Sequence, residues 1–141
     1  MTNISDFLHF AIKTAKAAGE IQMSYFGNIS SLEKKSNNID LLTNADTESE
    51  KYIISEIKLK YPSHSIISEE SSKMIRESDF TWIIDPLDGT TNFAHNLPIF
   101  AVSIALKKKD RIICGVVHNP AADKCFYAEH EKGAFLNNKR I

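Results

Sequence analysis

Apolar residues recur at three- and four-residue steps through the first part of the chain. Phe7, Leu8, Ala11, Ala15, Ala18, Ile21 and Tyr25 form a stripe that predicts an amphipathic helix over residues 5–26. Ser5 stands where an N-cap is wanted, and Gly27 where the helix should stop. Such a stripe is a packing face. The pattern is lost over residues 28–45, which read as polar, irregular chain with Lys34, Lys35, Asn37 and Asn38. A second helix is predicted over residues 46–60, capped near Thr43 or Asn44. Asp46, Glu48 and Glu50 crowd its first turn, where the helix dipole favours negative charge, and Ile53, Ile54 and Ile57 give it a buried face. Tyr61-Pro62 ends it.

Shorter apolar runs then take over. Residues 65–68 form a short strand that runs into Glu69-Glu70, residues 71–80 a polar loop or short helical turn, and residues 81–84 a buried strand. Residues 100–107 alternate, with Ala101, Ser103 and Ala105 on one face and Val102, Ile104 and Leu106 on the other. Residues 111–118 pair with them as a hairpin through the Lys107-Lys108-Lys109 turn. A turn at residues 119–123 and strands at 125–128 and 134–136 follow, and Asn137-Asn138 leads into another strand. The fold class is α+β: two N-terminal helices packed on a largely antiparallel sheet.

Composition narrows the function classes only a little. The 141 residues suffice for one domain with a real core. A formal net charge of −1 gives no general pull toward nucleic acid or an anionic membrane. No apolar run reaches membrane-spanning length and no secretory signal opens the sequence, so the expected setting is cytoplasmic. Cys114 and Cys125, on consecutive predicted strands, read as reduced thiols.

The chemistry concentrates in residues 82–95. An apolar run ending at Ile84 delivers Asp85 to the end of a strand; Pro86 stiffens the next step and Asp88 adds a second carboxylate. Upstream, Glu69 and Glu70 also follow an apolar strand. If the two strands are parallel neighbours, their C-terminal ends bring the carboxylates together. Such a group repels itself unless a cation is present, and hard oxygen ligands favour Mg²⁺, Mn²⁺ or Ca²⁺. Gly89-Thr90-Thr91 then opens a short helix whose first N–H groups suit a phosphate. An Asp-Pro-x-Asp-Gly run also occurs simply to reverse the chain.

The stretch Asp85-Pro86-Leu87-Asp88-Gly89-Thr90-Thr91-Asn92-Phe93 resembles the first signature of the inositol monophosphatase family, magnesium-dependent and lithium-sensitive phosphatases that include bacterial suppressor-type members. Ser68-Glu69-Glu70-Ser71, Asp40-Leu41-Leu42-Thr43 with Asp46, Gly115-Val116-Val117 and Lys132-Gly133-Ala134-Phe135 support it, so the resemblance runs across essentially the whole chain. It implies the first half of a sugar-phosphatase αβαβα sandwich. Glu69 would bind a first metal and help activate water, Asp85 would bridge two metals, and Leu87 would offer its carbonyl. Asp88 would bind the second metal and touch substrate hydroxyls. Gly89 and Thr90 would hold phosphate through N–H groups, with the Thr90 hydroxyl and Glu69 on the nucleophilic water. Lys35 and Asp46 would support the site. The implied cofactor is Mg²⁺, the implied partners a small phosphorylated polyol (myo-inositol monophosphate first) and a second copy of the chain.

Family members are nearly twice as long, and a Trp-Asp-like motif in their second half supplies a further aspartate; here the only tryptophan is Trp82. Residues 1–141 therefore resemble an N-terminal metal-binding portion, and the expectation is a sheet with an exposed edge and uncovered apolar surface. The alternatives are a non-catalytic or partner-binding remnant, or a related sugar or nucleotide phosphatase.

Overall fold

Ser5 adopts an extended backbone and its hydroxyl accepts from the Leu8 N–H at 3.3 Å, so helix α1 (Asp6–Phe26) starts where the sequence indicates. The computed structural model describes residues 3–29, 35–69 and 73–141, with the backbone alone at 35 and 36. Leu8, Ala11, Ala15 and Ala18 of α1 are wholly buried. Gly27 caps the helix in a right-handed conformation, φ −59°, so its stop does not use glycine's left-handed freedom.

Helix α2 (Lys35–Lys60) begins eleven residues before the predicted start, which corrects the reading of residues 35–45 as irregular. Tertiary contact supplies what local propensity lacks. Ala45 is wholly buried, Leu41 and Leu42 pack beside it, and the Asn38 amide donates to the Ala94 carbonyl at 3.1 Å. Asp46, Glu48 and Glu50 consequently lie in mid-helix, where the N-terminal dipole argument does not apply.

The described strands are β1 (Ser65–Ser68), β2 (Lys73–Met74), β3 (Phe80–Asp88), β4 (Ala101–Lys108), β5 (Arg111–Asn119), β6 (Lys124–Glu129), β7 (Gly133–Leu136) and β8 (Lys139–Arg140), with helix α3 (Thr90–Ala94) between β3 and β4. They form one sheet in the order β2-β1-β3-β4-β5-β6-β7-β8. Only β1 and β3 pair in parallel; every other neighbouring pair is antiparallel. The hairpin turn is Lys109-Asp110, because Lys107 and Lys108 pair with Ile112 and Arg111 rather than forming the turn. Two strand boundaries differ from expectation by more than one residue. Part of the predicted loop at 71–80 is strand β2, through Ile66 opposite Met74. Strand β3 continues past Ile84 to Asp88, because Ser103 and Ala101 of β4 pair with Asp85 and Asp88. A register shift between those two aspartates accommodates Pro86, which has no N–H to give the ladder.

Helices α1 and α2 cover one face, burying Trp82, Ile84, Val102, Ile104, Leu106, Cys114, Val116 and Cys125. His64 is buried between the rings of Tyr61 and Phe80, at 4.8 and 4.7 Å, and its Nδ1 accepts from the Trp82 indole N–H at 3.0 Å. Burial pushes the His64 pKa down. Both cysteines are free: Cys114 opposes Glu129 and Cys125 opposes His118, four residues further along β5, and burial pushes the Cys114 thiol up to about 12. The other face of the sheet carries Ala105, Gly115, Val117, Phe126 and Ala128, with Val117 46% and Phe126 39% exposed.

Candidate active site

The parallel pairing of β1 and β3 builds the site. Ser68 lies opposite Ile84, and one step on, the Glu69 N–H donates to the Ile84 carbonyl at 3.1 Å. Glu69 thus sits beside Asp85 at the same C-terminal end of two parallel strands. Ile84 is buried in the core, so the half-buried Asp85 belongs to the opposite face by strand alternation. Two residues further round the bulge, Leu87 is 1% exposed and anchored with Phe93 and Phe100, while Asp88 is exposed.

Two helices hold this end of the sheet. Gln22 of α1, wholly buried, donates its amide to the Pro86 carbonyl at 2.5 Å and to the Ser49 hydroxyl of α2 at 3.2 Å. The Ser68 hydroxyl donates to the Glu50 carboxylate at 2.5 Å, tying α2 to the residue before Glu69. Asp46 is buried one turn earlier on the same helix. Lys35 opens α2, but its side chain lies outside the described residues, as do Glu70 and Ser71.

Gly89 ends β3 in the left-handed region, φ 91° and ψ 38°. A Cβ there would stand 2.8 Å from the Ile99 carbonyl oxygen, so the position requires glycine for conformation and for space. Gly89 also caps α3, and no side chain caps the first N–H groups at Thr90 and Thr91. The Asn92 amide donates to the Ile99 carbonyl at 2.8 Å and fixes the return of the chain toward β4.

The structure therefore gathers Glu69, Asp85, Leu87, Asp88, Gly89 and Thr90 around the C-terminal ends of β1 and β3. Among the described residues, no three His, Cys, Asp or Glu side chains form a group that could enclose a metal ion, so the gathering is of strand ends rather than of a closed cage. The donor set itself, carboxylates with the Leu87 carbonyl available on the bulge, is hard oxygen throughout and fits Mg²⁺. Sequence reasoning passed over Gln22 and Ser49. The available signal was their place on apolar stripes: Gln22 four residues after Ala18, and Ser49 between Ala45 and Ile53.

The sequence profile of the inositol monophosphatase family matches residues 3–141. The chain belongs to that family. It is 43% identical over 138 residues to "Inositol monophosphatase 1" of Homo sapiens, covering 95% of this chain and 50% of that protein. To "Fructose-1,6-bisphosphatase/inositol-1-monophosphatase" of Thermotoga maritima it is 40% identical over 136 residues, covering 96% and 52%. The crystal structure of the extragenic suppressor protein suhB from Bartonella henselae superposes with a TM-score of 0.87 at 38% identity, over 97% of this chain and 53% of that one. The α+β arrangement is thus a fragment of the inositol monophosphatase fold, and the chain spans about half the length of the curated relatives it matches.

Proposed function

We propose that the chain is the metal-binding N-terminal portion of a Mg²⁺-dependent phosphomonoesterase whose substrate is a phosphorylated polyol, myo-inositol monophosphate first among them. The observation that carries this reading is the parallel β1–β3 register, which brings Glu69 beside Asp85 one bulge away from Asp88 and Gly89. Family membership supports phosphatase chemistry.

In this reading the carboxylates of Glu69 and Asp85 and the Leu87 carbonyl would hold one cation, and Asp85 with Asp88 would hold a second. Bound magnesium would neutralise the developing phosphoryl charge and make a nucleophile available near neutral pH. The Gly89 and Thr90 N–H groups take the phosphate, Asp88 orients the polyol hydroxyls, and Glu69 with the Thr90 hydroxyl orients the attacking water and takes its proton. Catalysis is mostly positioning and charge stabilisation. Lys35 and Asp46 act in support. The partners are the substrate and a second copy of the chain, with no role for nucleic acid or membrane. No described helix is long and apolar enough to cross a bilayer, and two free thiols suit a cytoplasmic setting.

The second reading is a non-catalytic or partner-binding protein. Phosphate release from inositol monophosphate decides between them, measured with and without Mg²⁺ and lithium on this chain and on one extended to the family's length. Mg²⁺-dependent, lithium-inhibited release supports the phosphatase. No release from either form supports the second reading.

A further inference from the structure

We infer that Gln22 is a positioning residue for the metal site: its amide holds the Pro86 carbonyl and so fixes the bulge that separates Asp85 from Leu87 and Asp88, an inference that rests on the metal-site reading proposed above. Three elements meet at this side chain. It comes from α1, bonds the wholly buried Ser49 of α2, and reaches the middle of the β3 bulge. A carbonyl oxygen only accepts, so the amide nitrogen must face Pro86, and the orientation of Gln22 follows from its partner.

The bulge needs such an anchor. Pro86 gives no N–H to β4, and the register shift between Asp85 and Asp88 interrupts the ladder there. The buried Leu87 side chain fixes where that residue sits, but not how the peptide before it is rotated. The peptide unit is planar, so a bond on the Pro86 oxygen sets the orientation of the whole 86–87 unit. The next carbonyl along the chain is that of Leu87, the proposed ligand.

Stability alone does not call for an amide at this place. The Gln22 Oε1 is buried and meets no donor among the described residues. A methionine would fill similar space and remove that orphaned acceptor, while taking the donor away from the buried Pro86 carbonyl. The worth of Gln22 therefore lies in what its donor end holds.

Gln22→Met on the 141-residue chain tests this. Amide hydrogen exchange is expected to accelerate in peptides spanning residues 85–92 while α1 and strands β5–β6 keep their protection, with at most a small fall in Tm from the buried Pro86 carbonyl left without its donor. The affinity for Mn²⁺, read from loss of the free-ion EPR signal, is expected to fall about tenfold. Ser49→Ala, which removes only the second bond, should move neither readout comparably. A uniform rise in exchange across α1, β5 and β6 as well would make Gln22 an ordinary core residue and overturn the inference, as would unchanged exchange over residues 85–92. Asp85→Asn separates the two readings. If it binds Mn²⁺ as the wild type does, the metal-site reading fails, and the exchange measurement alone still decides whether Gln22 holds the bulge.

Discussion

The Glu69 N–H donates to the Ile84 carbonyl across 3.1 Å, and this bond sets Glu69 level with Asp85. Two carboxylates 16 residues apart in sequence thereby share one end of a sheet. Parallel neighbours make this possible, because both strands point the same way and end together. In an antiparallel pair Glu69 would have met the other end of β3.

Asp85 is the proposed bridge between two cations. Asp85→Asn, in a form carrying the family's full length, should lower phosphate release by at least about a hundredfold, since even partners of metal ligands cost 10–100-fold. Magnesium dependence should go with it. Steady-state phosphate release against Mg²⁺ concentration is the measurement, and unchanged hydrolysis would remove Asp85 from the site.

Gly89 holds φ 91° with the Ile99 carbonyl oxygen 2.8 Å from where a Cβ would lie. Gly89→Ala should cost about 1–3 kcal/mol in backbone strain, with the close contact adding to it. A urea titration should show the midpoint falling. An unshifted midpoint would mean that the turn tolerates a side chain.

Burial lowers the pKa of His64, while an unfolded histidine titrates near 6.5. Below about pH 6.5 the unfolded chain binds more protons than the folded one, so stability is full above that pH and declines as pH falls toward the folded-state value. His118 is depressed too, mainly by burial with Lys16 adding to it, and contributes in the same direction. Tm should drop between pH 7 and pH 5. His64→Phe should flatten that decline without abolishing it, and should lower Tm at neutral pH because the Trp82 N–H loses its acceptor. A Tm independent of pH over this range would contradict the assignment.

Val117 and Phe126 stand part-exposed on the apolar face opposite the helices. Contiguous apolar surface of this kind promotes association. The 141-residue chain should sediment with concentration-dependent mass, and Phe126→Glu should shift it toward monomer. A sharply melting monomer at every concentration would count against this expectation.

Much of this was legible in the chain. The α1 stripe, the Ser5 cap, the alternation of β4 and the hairpin into β5 all follow from local period and turn chemistry. The two apolar runs that each end in acids indicated the meeting of β1 and β3. What stayed hidden depends on tertiary partners. The first eleven residues of α2 are mostly polar, with Ile39 53% exposed, and become helical through packing of Leu41, Leu42 and Ala45 against Leu87 and Phe93. Strand β2 exists because Ile66 and Ile67 offer an edge to pair with. Gln22 looked like one polar residue on a helix, and only the fold reveals that it faces a carbonyl 64 residues away.

The most direct test of the shared cation is a crystal of the chain soaked in Mn²⁺, with an anomalous difference map. One peak at about 2.0–2.2 Å from carboxylate oxygens of both Glu69 and Asp85, with the Leu87 carbonyl in the same shell, is the predicted result. A map in which Glu69 and Asp85 touch no common ion would contradict the account.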